Sequence, residues 1–220
     1  VHALCHVVRV FEDDNVTHVD GNIDPQRDRE TIETELILAD LQSLERRRDK
    51  AEGAAKTGDK EKQKELAVLK KVFAVLSDGK LASSVVLPED EQLILQDFFL
   101  LTAKPLLYAA NVSEQQLSSL DRTTLAKQLK IADEQLLILV SAKVEADLQE
   151  LSPDEAAEYL QDLGVPSSGL DQLIHAAYAA LGYITFFTAG EKEARAWTVT
   201  KGSTAPQAAG VIHTDFERGF

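Results

Sequence analysis

Two short polar stretches each follow an apolar run. Asn111-Val112-Ser113-Glu114 follows Pro105–Ala110, and Ser141-Ala142-Lys143 follows Leu136–Val140. Apolar runs of that length, bounded by turn signals, read as strands buried on both faces of a parallel sheet. In such sheets ligands bind beyond the carboxyl ends of the strands. Asparagine offers an acceptor and a donor side by side, which match the N6/N7 edge of adenine. Taken alone, Asn-x-x-Glu is a pattern any loop can show, and a polar loop with a capping serine also accounts for it. Its place one strand before Ser-Ala-Lys, also at a strand end, makes the two stretches together a candidate ligand site.

A second chemistry is carried by charge. The formal net charge is −14, which excludes a protein that coats nucleic acid over its whole surface. Between Arg46 and Lys71, however, ten basic residues stand against five acidic ones, so this segment is +5 and the remainder −19. Arg46, Arg47 and Arg48 are consecutive and Lys50 follows closely. Such an island is either a solvated face or a contact for a phosphate-rich partner.

These residues need elements to position them. Val1–Phe11 reads as a buried strand, and Asn15–Pro25 as a loop. From about Asp28 the period becomes helical: Ile37, Leu41, Leu44, Arg48, Ala51 and Ala55 recur at 4-3-4-3-4 spacing, a coiled-coil seam. Thr57-Gly58-Asp59 breaks it, with Gly58 suited to a helix C′ position and Asp59 to the next N-cap. Leu66, Leu69, Phe73 and Leu76 resume the seam, so the two helices are expected to form a hairpin. A further helix is expected from Pro88 to about Ala103. Helices over Thr123–Ile131, Val144–Leu151, Pro153–Leu163 and Leu170–Leu181 then surround the strand Leu136–Val140. Strand pairs Tyr183–Thr188 and Ala194–Thr200 close the chain. The order predicts an α/β fold, a doubly wound sheet carrying a helical insertion.

Several longer stretches resemble the YchF/Obg-like ATPase family. They are Phe11–Gly21 (FEDDNVTHVDG), Glu33–Leu41 (ETELILADL), Leu101–Pro105 (LTAKP), Phe187–Glu193 (FTAGEKE) and Ala205–Glu217 (APQAAGVIHTDFE). The resemblance implies a partial doubly wound P-loop nucleotide-binding sheet with an inserted α-helical coiled-coil hairpin, followed by the start of a small β-grasp-like TGS domain. The expected divisions are residues 1–24 and 96–182 for the nucleotide-binding domain, 25–95 for the inserted arm and 183–220 for the TGS part. GTP-binding P-loop proteins carry Asn-Lys-x-Asp where this chain has Asn111-Val112-Ser113-Glu114, and Ser-Ala-Lys where it has Ser141-Ala142-Lys143. Val112 and Glu114 replace the lysine and aspartate, so the expected ligand is ATP rather than GTP. The family further implies Mg²⁺-dependent hydrolysis, association with the ribosome or ribosomal RNA, and a cytoplasmic location. Its phosphate loop, first switch and Asp-x-x-Gly segment, with the Mg²⁺ ligands, are expected upstream of Val1. The chain alone is therefore expected to bind a base poorly and hydrolyse nothing, and its lack of methionine fits an upstream start.

Within this resemblance His18 is the candidate catalytic side chain, assuming the water-orienting task usually given to a glutamine; a solvated loop histidine is the alternative. His2 and His6 share a strand face but are too far apart to hold a metal. No metal site is expected in this chain. Cys5, the single cysteine, excludes an internal disulfide framework and reads as a small buried hydrophobe. Phe187 and Trp197 read as core of the small C-terminal module. No apolar run reaches the eighteen or so residues of a membrane helix, so no membrane partner is expected. An RNA- or ribosome-binding module in which nucleotide only regulates is the alternative to an enzyme, and a plain coiled-coil adaptor is a third.

Overall fold

The computed structural model describes residues 1–12, 23–55 and 58–220. Three parallel strands, β1 (Leu4–Arg9), β2 (Leu106–Asn111) and β3 (Leu137–Val140), lie side by side in that order. β2 is central, with Cys5 opposite Leu107 and Asn111 opposite both Arg9 and Val140. All three carboxyl ends therefore share one edge.

Between β1 and β2 the chain leaves the sheet as two long helices, α1 (Pro25–Ala55) and α2 (Lys60–Ser77). At 1.5 Å per residue the 31 residues of α1 extend about 46 Å. The turn is made as its residues dictate. Gly58 sits at φ +84°, where a Cβ would be strained, and the Asp59 carboxylate accepts from the Glu61 and Lys62 amides. Ile37, Leu44 and Ala51 of α1 bury against Val68, Leu69, Val72 and Leu76 of α2. The seam arginine Arg48 also has a place: its guanidinium lies 5.1 Å from the Phe73 ring centroid. Lys64–Asp90 and Lys71–Glu91 ion pairs join α2 to α3 (Glu89–Gln96).

α3 ends at Gln96 rather than near Ala103. Phe98 and Leu100 turn into the arm's core, and Phe99 adopts a left-handed φ of 54° between them. The backbone that follows is held by Asp40, which is 3% exposed. Its carboxylate accepts from the Leu101 amide at 2.9 Å, the Thr102 amide at 2.7 Å and the Thr102 hydroxyl at 2.6 Å. These donors would extend a helix only by leaving Asp40 buried and unbonded, and that costs more than the turn.

The sheet core is built from Leu106, Tyr108, Ala110 and Val112 against Leu125, Ala126 and Leu129, the last three on or directly after α5 (Arg122–Gln128). α4 (Glu114–Ser119) precedes α5, while α6 (Ala142–Leu148), α7 (Pro153–Asp162) and α8 (Gly169–Ala180) follow β3. α8 starts hard against β3: a Cβ on Gly169 would lie 2.9 Å from Val140 Cα and 3.0 Å from Leu139 O. Gly169→Ala is expected to destabilise the chain by about 1–3 kcal/mol through overpacking against backbone that cannot yield. A denaturant midpoint equal to the parent's would refute that contact.

The C-terminal hairpin of β4 (Tyr183–Ala189) and β5 (Ala194–Thr200) is followed by α9 (Ala205–Ile212) and α10 (Thr214–Arg218), two helices the sequence reading lacked. Two expectations about burial fail, for one reason. Cys5 is exposed, as is Val7, because β1 is an edge strand among the described residues and the cover that buries Leu107 and Ala109 on the same face of β2 does not extend over it. Phe187 is 78% exposed on the two-stranded sheet, one face of which is likewise uncovered there. Trp197 is half-buried, with its Nε1 donating to Thr188 Oγ1 at 2.9 Å and Arg195 stacked on the ring. No described helix is long and apolar enough to cross a membrane.

Candidate nucleotide-base site

A cavity of about 600 Å³ opens at the shared carboxyl edge of β1, β2 and β3. All seven residues of the two polar stretches line it. They do not all present side chains to it. Ser113 caps α4, accepting from the Gln116 amide while Gln116 Oε1 accepts from the Ser113 amide at 2.8 Å. Ser141 is 2% exposed and caps α6, accepting from the Val144 amide. Both serines therefore act as helix caps, with their hydroxyl oxygens accepting within the loops that they shape. Val112 is 2% exposed and continues the ladder, its amide donating to Val140 O at 2.9 Å. It floors the cavity with an apolar surface; a lysine there would enter the sheet core.

Asn111 joins the two loops. Its Oδ1 accepts from the Ala142 amide at 3.1 Å, so that amide is already engaged within the protein. The Asn111 amide nitrogen and the second lone pair of Oδ1 remain for a ligand. Glu114 and Lys143 face each other at 3.9 Å, with side chains 39% and 76% exposed. An ion pair that wet contributes little to stability, but it brackets the opening with one charge of each sign.

Phe11 and Glu12, just after β1, also line the cavity and were missed as site residues. Arg9 fixes Phe11 from two directions: its Nε donates to Phe11 O at 3.1 Å, and its guanidinium lies 4.7 Å from the ring centroid. The signal was present, because the strand-end rule applied to β2 and β3 applies to β1 equally. His18 lies outside the described residues.

On the arm, a groove of about 630 Å³ is lined by Arg46, Lys50 and Lys62, among others. Arg46 and Lys50 are exposed. Arg47 is committed elsewhere: Nε and Nη2 donate to Glu65 Oε1 at 3.0 and 2.9 Å, Nη1 donates to Asp97 O at 2.8 Å, and the group stacks on Phe98. Arg47 and Arg48 are thus ties within the arm, and the seam position of Arg48 is explained by packing on Phe73 without an outside partner.

Known proteins are similar to this chain. The family YchF-GTPase_C, described as "Protein of unknown function (DUF933)", matches residues 183–220. The ribosome-binding ATPase YchF of Bacillus subtilis (strain 168) is 46% identical over 223 residues, covering 100% of this chain and 61% of that protein. Its namesake from Escherichia coli O157:H7 is 43% identical over 218 residues, covering 99% and 60%. The solved structure of the Schizosaccharomyces pombe YchF GTPase superposes with a TM-score of 0.85 at 36% identity, over 100% of this chain and 61% of that one.

Over its whole length the chain is similar to YchF proteins.

The chain spans about three fifths of the length of the curated relatives it matches. Among its described residues no group of three or more His, Cys, Asp or Glu side chains gathers to hold a metal ion.

Proposed function

We propose that this chain carries the base-reading edge and the arm of a ribosome-associated, cytoplasmic P-loop ATPase that hydrolyses ATP. The observation that carries the base-reading role is Asn111 at the carboxyl end of the central strand, within the cavity shared by all three strand ends. The names of the relatives divide between ATPase and GTPase, and the site favours one base. Val112 is buried and Glu114 is turned toward Lys143. A carboxylate so placed is not aimed to receive two donors from guanine, whereas the amide of Asn111 suits adenine. Residues 183–220 are read as the start of a TGS domain, which the hairpin, the helices and the family match support. In a protein of the relatives' full length, ATP should bind more tightly than GTP. Titration with both nucleotides tests this, and a preference for GTP overturns it.

For the arm we propose contact with ribosomal RNA through Arg46 and Lys50, two exposed cations of the groove, whose third, Lys62, is paired with Glu65. Phosphate contacts release counterions, so affinity should fall steeply with salt, by roughly 0.7–0.9 logarithmic units per contact for each tenfold rise in salt. Changing Arg46 and Lys50 together to Gln should weaken RNA co-sedimentation and reduce the salt slope by about 1.5, with ATP affinity unchanged. An unchanged slope returns the island to a solvated face.

A further inference from the structure

The base of the arm meets the sheet through a buried polar joint. Glu33 Oε1 accepts from the Tyr108 hydroxyl of β2 at 2.6 Å and from Arg29 Nη1 at 2.9 Å. His6 of β1 lies opposite Tyr108 in register, the ring centroids 6.2 Å apart. Arg29 is 8% exposed. Yet Arg29 Nε and His6 Nδ1 are both buried with no hydrogen-bond partner among the described residues.

These two atoms are chemically complementary. Arg Nε–H is a donor that keeps its proton, and Nδ1 of a neutral imidazole protonated on Nε2 is an acceptor. Burial lowers the affinity of His6 for a proton, which favours the neutral ring; Glu33 opposes this, Arg29 reinforces it and Asp28 opposes it. A buried network left half-satisfied is costly, and such networks serve best where a joint must choose between arrangements.

Higher on α1 the second tie is saturated. Asp40 holds three donors from Leu101 and Thr102. One tie is complete and the other is not, so the helix has a fixed point and a loose end. Arg29 lies roughly 16 Å below Asp40 and Ala55 roughly 22 Å above it along the helix axis. A small resettling at the base therefore swings the tip by a slightly larger distance in the opposite sense.

We infer that α1 has two settings about a pivot at Asp40: the one described, with Arg29 bound to Glu33 through Nη1 alone, and a second in which Arg29 Nε also donates to His6 Nδ1. Protonated His6 cannot accept, so the second setting belongs to the neutral ring. The charged and titratable groups facing His6 are Arg29, Glu33 and Asp28 from α1 and Tyr108 from β2. This inference rests on the joint itself and is independent of which nucleotide or partner the protein binds.

The test is a distance distribution between spin labels at Glu52→Cys on α1 and Gln128→Cys on α5, in the 220-residue chain with Cys5→Ser. Two populations are expected, and acidification below the ordinary imidazole value of about 6.5 should deplete one of them. His6→Phe should leave a single population. Should that variant fail to fold, Arg29→Lys, which keeps the charge facing Glu33 but lacks the second donor, should do the same. A single population in the parent, or two populations that persist in the folded variant at all pH values, overturns the second setting.

Discussion

Asp40→Ala should lower the stability of the chain by about 3–5 kcal/mol, because three donors lose the one carboxylate that accepts from them. The carboxylate holds two amides and a hydroxyl that have turned away from helical bonding to reach it. Each buried donor left without an acceptor costs about 1–3 kcal/mol, and rearrangement recovers only part of that. Thr102 adds to the damage, since its hydroxyl oxygen in turn accepts from the Ala82 amide at 3.2 Å. Asp40→Asn keeps one acceptor oxygen and should cost about half as much. Thermal or urea unfolding checks both variants; an alanine variant within about 1 kcal/mol of the parent would mean the turn at 97–102 is held by packing of Phe98 and Leu100 instead.

The second large effect concerns binding. In a protein of the relatives' full length, Asn111→Asp should weaken ATP roughly tenfold to a hundredfold, matching the 1–3 kcal/mol that a well-made bidentate base contact contributes. Aspartate keeps an acceptor for the Ala142 amide, so the loops should stay joined while the donor facing the base is lost. Asn111→Ala removes both and should cost more, with the excess measuring the tie between loops. Calorimetric titration separates the two variants. If Asp binds ATP as tightly as Asn, the side chain serves only to join the loops, and base choice lies with Phe11 or the backbone.

The arm was the most legible part of the sequence. Its seam, the glycine at positive φ and the Asp59 cap are local signals, and each leads to one conformation whatever surrounds it. The end of α3 was not legible, because Asp40 lies sixty-one residues from the amide it takes. Helical propensity alone carries the pattern on to Ala103, and only a long-range carboxylate overrides it. The burial of Cys5 and Phe187 was misjudged for a related reason: alternation along a strand tells which residues share a face, but not whether anything packs on it. At the site, the strand-end rule found Asn111 and Ser141-Ala142-Lys143, yet gave no means of telling a capping serine from a contacting one. Arg47 shows the same limit on the arm. Its charge is plain in the sequence, but its commitment to Glu65 and Asp97 is a fact of packing.

The bond from Ala142 to Asn111 bears on the timing of recognition as well as on its strength. Two loops already fastened to each other have surrendered their independent motion during folding, so an arriving base finds its contacts assembled and forfeits little further freedom. Encounter should then proceed at much the same rate for adenine and guanine nucleotides, as both meet the same finished surface. Selectivity should show itself in residence: the well-matched base lingers and the mismatched one departs early. A base site built this way would choose by how long it holds rather than by how fast it captures.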